Sequence, residues 1–157
     1  NKIMIKVLFI CHGNICRSPK CQSIFTHMVK EQNLTNHFKI DSAATSREEI
    51  GNPPHYGTAG KLRQVGIPLI PHRAEQMTKA DYDAYDYLIG MDSMNIRNIM
   101  RIIGKDTQKK VYRLLDFSDS PRDIADPWYT GNFDRTYEDS VEGCGALLEK
   151  IKQEYDL

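Results

Sequence analysis

Residues 3–10, Ile-Met-Ile-Lys-Val-Leu-Phe-Ile, are mostly apolar and β-branched and contain no turn former. A short run of this kind reads as a buried strand. The next segment of the chain has a different period. Cys21, Ile24, Phe25, Met28 and Val29 recur at i, i+3, i+4, i+7 and i+8, which is one apolar face of a helix. Ser18-Pro19 marks its start, with Ser expected at the N-cap and Pro at the first helical position.

The alternation then repeats. Phe38 to Ser42 suggests a short strand, and Ala43 to Pro54 a loop closed by Asn52-Pro53-Pro54. A helix is expected over about 55–65, ending at Gly66. Ile67 to Pro71 is extended, and Thr78 or Asp81 caps a short turn. Tyr87 to Met91 forms a further strand, and Asp92 or Ser93 opens a helix through about Ile103. Val111 to Phe117 is the fourth strand. Ser118 to Asn132 is a long polar loop, and loops of that length in compact domains are usually functional. Phe133, Tyr137, Val141, Cys144, Leu148, Ile151 and Tyr155 stripe the last helix. Alternating strands and helices predict a three-layer α/β/α sandwich with a four-stranded, parallel, doubly wound, flavodoxin-like sheet. The 157 residues suit one domain spanning 1–157.

Charge excludes some functions. Lys plus Arg and Asp plus Glu both number 21, so the formal net charge is zero. That argues against a general nucleic-acid binder or a polybasic membrane binder. The zero hides an asymmetry. Residues 1–78 hold 10 basic and 5 acidic residues, a net of +5, and residues 79–157 hold 11 and 16, a net of −5. Two solvated surfaces are the default reading of such a split, and an anion site in the first half is the sharper one. The longest uninterrupted apolar run, Val7 to Cys11, is far short of the roughly 18 residues a spanning helix needs. The N-terminal stretch superficially resembles a secretory signal, but Lys6 interrupts it, no small-residue cleavage site comes after it, and Ile10 is bulky for a lipoprotein site. The sequence opens on Asn1, so either loss of an initiator Met or an edited N-terminus is expected.

The cysteines are Cys11, Cys16, Cys21 and Cys144. They form neither a dense disulfide framework nor a C-x2-C zinc pattern, so no metal is expected and a reducing, cytoplasmic setting fits. Cys21 and Cys144 fall on apolar helix faces and read as core.

The chemistry concentrates between the first strand and the first helix, in Cys11-His12-Gly13-Asn14-Ile15-Cys16-Arg17-Ser18. A helix N-terminus presents unpaired N–H groups and a positive dipole end. Gly13 and Asn14 tolerate the backbone twists that turn successive amides inward. Arg17 offers a planar fork of donors that matches two phosphoryl oxygens. The same surroundings favour the thiolate of Cys11, an activated nucleophile. Residues 12–18 thus read as a phosphate cradle.

This loop, with Pro19, resembles the active-site signature of low-molecular-weight protein tyrosine phosphatases. The likeness continues through Asp41 to Ser46, Gly51 to Pro54, Gly66-Ile67-Pro68, Asp86 to Ile89, Met91-Asp92 and Asp126 to Tyr129. It implies hydrolysis of phosphotyrosine in proteins, and of small aryl phosphates, through a cysteinyl-phosphate. It gives Asp126, before Pro127, the role of proton donor to the leaving oxygen. It implies that Asn14, Ser18, Ser42, His72 and Asp92 support the loop, and that Trp128 and Tyr129 wall the substrate ring. It also implies a protective disulfide between Cys11 and Cys16 on oxidation.

Three departures from the family pattern stand out. His12 is usually aliphatic, Glu48 often aromatic, and Cys21-Gln22 commonly Ala-Glu. His12 and Glu48 are expected on the substrate rim, with Glu48 disfavouring acidic peptides, and Gln22 is expected to tune loop packing. No cofactor is implied. Phosphate and other oxyanions are expected inhibitors, and a monomer is expected. Arsenate reductases of this fold need two further mid-chain cysteines, which are missing here. Arginine phosphatases typically carry Thr at the position of Ile15. An inactive phosphate-binding module would not need Cys11, Arg17, Ser18 and Asp126 together.

Overall fold

A computed structural model describes residues 3–157, so Asn1 and Lys2 lie outside the described residues. Four parallel strands form one sheet in the order β2-β1-β3-β4. They are β1 (Ile5–Cys11), β2 (Phe38–Ala44), β3 (Tyr87–Gly90) and β4 (Val111–Arg113). The helices are α1 (Arg17–Glu31), α2 (Tyr56–Val65), α3 (Ala80–Ala84), α4 (Ser93–Ile103), α5 (Pro127–Thr130) and α6 (Phe133–Tyr155).

The period of two along β1 separates the layers. Ile5, Val7, Phe9 and Cys11 point to one face, where they meet Cys21, Ile24, Phe25 and Val29 of α1 and Cys144, Leu147, Leu148 and Ile151 of α6. Leu8 and Ile10 point to the other face, against Ile99 and Ile103 of α4. Both faces of β1 are buried, which explains its near-continuous apolar sequence. On the α1 side, Phe9, Phe25 and Phe38 stack edge to face at 5.5 and 5.6 Å. The expected doubly wound α/β sandwich is thus the observed fold.

Three details differ from the sequence reading. Helix α1 starts at Arg17, and Cys16 before it makes no side-chain cap. The Ser18 hydroxyl is turned inward onto Cys11 instead, 3.0 Å from its sulfur. The fourth strand stops at Arg113 and winds into a 3-10 turn, Leu114–Phe117. The Asp116 carboxylate causes this by accepting from the Arg113 amide and guanidinium at 2.9 and 3.0 Å. The buried face of α6 is rotated toward small residues. Thr136, Ser140 and Gly143 are buried, whereas Phe133, Tyr137, Val141 and Tyr155 are half-buried flanks. Gly143 permits this, because a Cβ there would lie 2.4 Å from Leu114 Cγ. Among the described residues no helix is long and apolar enough to cross a membrane.

Candidate active site

Strand β1 is flanked by β2 and β3, and its carboxyl end delivers Cys11 to the point where the sheet order reverses, the usual ligand crevice of such sheets. The chain then turns through residues 12–16 into α1. The turn needs a left-handed residue, and Asn14 supplies it at φ 60° while fully buried. The outer side of the loop is braced by the Thr45 amide on the Cys11 carbonyl (3.0 Å) and the Ser46 amide on the His12 carbonyl (3.1 Å).

The Asn14 side chain organises what lies beneath the loop. Its amide nitrogen donates to Ser18 Oγ (2.8 Å) and Ser42 Oγ (3.0 Å). Its oxygen accepts from the Glu75 backbone amide (3.2 Å) and lies 2.6 Å from His72 Nε2. A side-chain carbonyl oxygen carries no proton and only accepts, so His72 Nε2 is the donor in this contact. The Ser42 hydroxyl donates to Gln22 Oε1 at 2.6 Å. Ser18 Oγ, having accepted from Asn14, has its own proton free for Cys11. The Cys11 sulfur therefore receives the Ser18 hydroxyl at 3.0 Å and the Asn14 backbone N–H at 3.3 Å.

Arg17 is 2% exposed and held from three directions. Its Nη1 donates to Asp92 Oδ2 (2.5 Å) and the Ile124 carbonyl (2.8 Å), and its Nη2 faces Asp126 Oδ2 at 3.4 Å. Burial opposes the guanidinium charge, but Cys11, Asp92 and Asp126 outweigh it and hold the group above the ordinary arginine value. Both acids are fixed in turn. Asp92 caps α4 by accepting from the Asn95 amide (2.7 Å), and Asp126 caps α5 by accepting from the Trp128 amide (3.0 Å). Cys16 is buried and free, and burial, Cys11 and Asp126 push its thiol up to about 12.

These groups meet in one pocket of about 100 Å³. Cys11, His12, Gly13, Ile15, Cys16 and Arg17 line its floor; Glu48, Glu49, Asp126, Trp128 and Tyr129 form its walls. Asn14, Ser18, Ser42 and His72 lie below the floor, and Asp92 lies behind Arg17. His12 and Glu48 are bound across the rim, Nε2 to Oε2 at 3.0 Å.

Sequence reasoning missed four participants. Glu49 carried a signal, being next to Glu48. The Ile124 carbonyl and the Glu75 amide carried none, because backbone groups have no residue signature. Lys20 is fully buried, its Nζ 3.5 Å from the Phe133 carbonyl and 5.2 Å above that ring. It lies four residues before Ile24 on the apolar face of α1, so its burial was legible.

A parallel sheet that presents a thiol, an amide-lined loop, a buried arginine and a facing carboxylate in one small pocket defines a cysteine-dependent phosphatase. The chain belongs to the low molecular weight phosphotyrosine protein phosphatase family, whose model matches residues 6–157. It is 40% identical over 156 residues to the low molecular weight protein-tyrosine-phosphatase YfkJ of Bacillus subtilis, covering 98% of this chain and 100% of that protein. It is 41% identical over 149 residues to the human low molecular weight phosphotyrosine protein phosphatase, covering 92% and 94%. The crystal structure of YfkJ superposes with a TM-score of 0.93 at 42% identity over 96% of each chain.

Proposed function

We propose that this protein tyrosine phosphatase acts, as a single domain over 1–157, by a two-step displacement in which Cys11, Arg17 and Asp126 are the catalytic residues. The Cys11 sulfur attacks phosphorus in line. The S–P bond forms, the P–O bond to the phenolic oxygen breaks, and Asp126 gives its proton to that oxygen. Arg17 and the amides of residues 12–18 hold the equatorial oxygens, whose charge they match best in the transition state. In the second step Asp126 takes a proton from water as the water oxygen bonds to phosphorus. The S–P bond breaks, and the departing thiolate is stabilised by the Ser18 hydroxyl and the Asn14 amide.

The observation that carries this reading is the pair of donors on the Cys11 sulfur, at 3.0 and 3.3 Å, in the pocket that Arg17 and Asp126 also face. A core cysteine needs neither donor. The pocket lining sets the substrate class. Ile15, Trp128 and Tyr129 suit a flat aryl ring better than a guanidinium, which favours phosphotyrosine over phosphoarginine. Cys144 is buried against α1, its sulfur 3.8 Å from the Cys21 carbonyl, and so offers no relay for arsenate reduction. Phosphate and similar oxyanions compete for the same cradle, and the chain acts as a monomer in a reducing compartment. Oxidised Cys11 is resolved by Cys16 as a disulfide.

The test is hydrolysis of an aryl phosphate. Wild type turns it over and Cys11→Ser does not. A silent wild type, or turnover by Cys11→Ser, overturns the mechanism.

A further inference from the structure

The groove does not end at the aromatic wall. Past His12 and Tyr129 it opens into a second cavity of about 460 Å³ that runs along α4 from Met94 in its first turn to Arg101 in its last. The two cavities share His12, Arg17, Asp126 and Tyr129, so they form one continuous surface.

The two ends of this surface differ in sign. At the pocket end stand Glu48 and Glu49. Glu48 lies against the His12 ring, whereas Glu49 accepts from the neutral Asn52 amide at 2.7 Å and, among the described residues, has no cation within ion-pair distance. At the α4 end stand Met94, Asn98 and Arg101. Asp92 and Asp126 also line that end, but both are committed to Arg17 and to helix-capping amides. Arg101 is exposed and donates to Asn98 Oδ1 at 3.0 Å, and among the described residues no carboxylate lies within ion-pair distance of it. A cation beside a neutral amide, at the open end of a groove whose other acids are occupied, is a receptor for an anion.

We infer that the α4 end of the groove is a subsite for an anionic side chain of the phosphoprotein, a carboxylate or a second phosphoryl group, held by Arg101 and Asn98. Glu49 turns such a side chain away from the opposite end. The groove therefore reads charge on one side of the phosphotyrosine only. This rests on the reading that the Cys11 pocket takes the phosphotyrosine itself. Exposed ion pairs of this kind change affinity by a factor of about two to five, and salt screens them.

The experiment compares kcat/KM for phosphotyrosyl peptides that are otherwise neutral. One carries Glu on the N-terminal side of the phosphotyrosine, one on the C-terminal side, and one carries Gln at both. A further pair replaces each Glu by phosphoserine. Each value is divided by that of the Gln peptide for the same enzyme, so a loss of folded protein cancels. Glu on one side should raise the ratio about two- to fivefold, and on the other side lower it by a similar factor. Arg101→Gln should abolish the gain and leave the loss; Glu49→Gln should do the reverse. A gain from phosphoserine alone assigns the subsite to a second phosphoryl group, and a gain from both assigns it to anions generally. Equal ratios on the two sides, or a gain that survives Arg101→Gln, overturns the subsite. Hydrolysis of p-nitrophenyl phosphate by wild type is measured alongside. Its absence sinks the phosphatase mechanism, whereas its presence with symmetric ratios sinks the subsite alone.

Discussion

His72 reaches Asn14 across 58 residues of sequence and binds its side-chain oxygen at 2.6 Å. That contact starts a relay: His72 orients Asn14, Asn14 orients Ser18, and Ser18 presents its proton to Cys11. Asn14→Ala removes the middle link and leaves buried partners unsatisfied, which costs about 1–3 kcal/mol. Urea unfolding should show that loss, and kcat should fall at least tenfold. Asn14→Gly accepts the 60° φ without the side chain. It should recover part of the stability and little of the activity; full recovery would mean that backbone conformation, not the relay, is what matters.

Ser18→Ala should spare the first step and slow the second. The hydroxyl is 3.0 Å from a sulfur that must leave as a thiolate. A hydrogen bond to a charged group is worth about 1.5–3 kcal/mol, or roughly 10- to 100-fold in rate. Rapid mixing with an aryl phosphate should show a burst of phenol and then a slower steady state than in wild type. A variant slowed equally in burst and steady state would place Ser18 elsewhere in the cycle.

Asp126→Ala should discriminate between leaving groups. Proton transfer contributes about 10²–10⁴-fold when the leaving oxygen is basic and much less when it is not. The variant should lose most of its kcat/KM, which reports the first step, on phenyl phosphate and far less on p-nitrophenyl phosphate. A uniform loss across leaving groups would argue that Asp126 only positions Arg17, which it faces at 3.4 Å.

Cys16 is held as a thiol at neutral pH by burial, Cys11 and Asp126, at about 12. Oxidation of Cys11 to the neutral sulfenic acid lifts the repulsion from Cys11, while burial, the largest of the three causes, remains. Brief peroxide treatment should inactivate wild type in a way that dithiothreitol reverses. In Cys16→Ser the same treatment should leave a permanent loss. Equal recovery of the two proteins would remove the resolving role.

Lys20 sets a pH dependence of stability. Burial pushes its ammonium down to about 8 from the ordinary 10.5. Between those values the unfolded chain binds the proton and the folded chain does not, so the lysine's contribution to stability rises with pH across that window. Below about pH 8 both states are charged, and the burial cost stands in full, with an upper bound near 3 kcal/mol. Lys20→Met should therefore be the more stable protein near pH 7, and its advantage should shrink toward about pH 10. Denaturant midpoints of both proteins at the two pH values check the sign.

The sheet and both helical layers were legible because their signals are periodic. The alternation along Ile5–Cys11 and the i, i+3, i+4 face from Cys21 to Val29 each repeat several times. Failures occurred where one side-chain contact overrides the preference of the surrounding segment. Ser18 has the sequence of a cap, yet its hydroxyl serves Cys11. Phe117 ends a strand-like run, yet Asp116 reaches back to Arg113 and winds the chain. The residues of the pocket were readable because a motif fixes their types. The rim pair His12 and Glu48 lies 36 residues apart in sequence, and only folding shows that the two meet.

Arg17 is gripped by Asp92, by the carbonyl of Ile124 and by Asp126, which lie 75, 107 and 109 residues beyond it in sequence. The nucleophile and its amide cradle leave the ribosome early, but the groups that aim the arginine emerge much later, Asp92 past the middle of the chain and Ile124 and Asp126 past three quarters of it. A nascent or truncated product thus carries the signature loop without a formed anion site, and dephosphorylation begins only once translation has delivered the final loop.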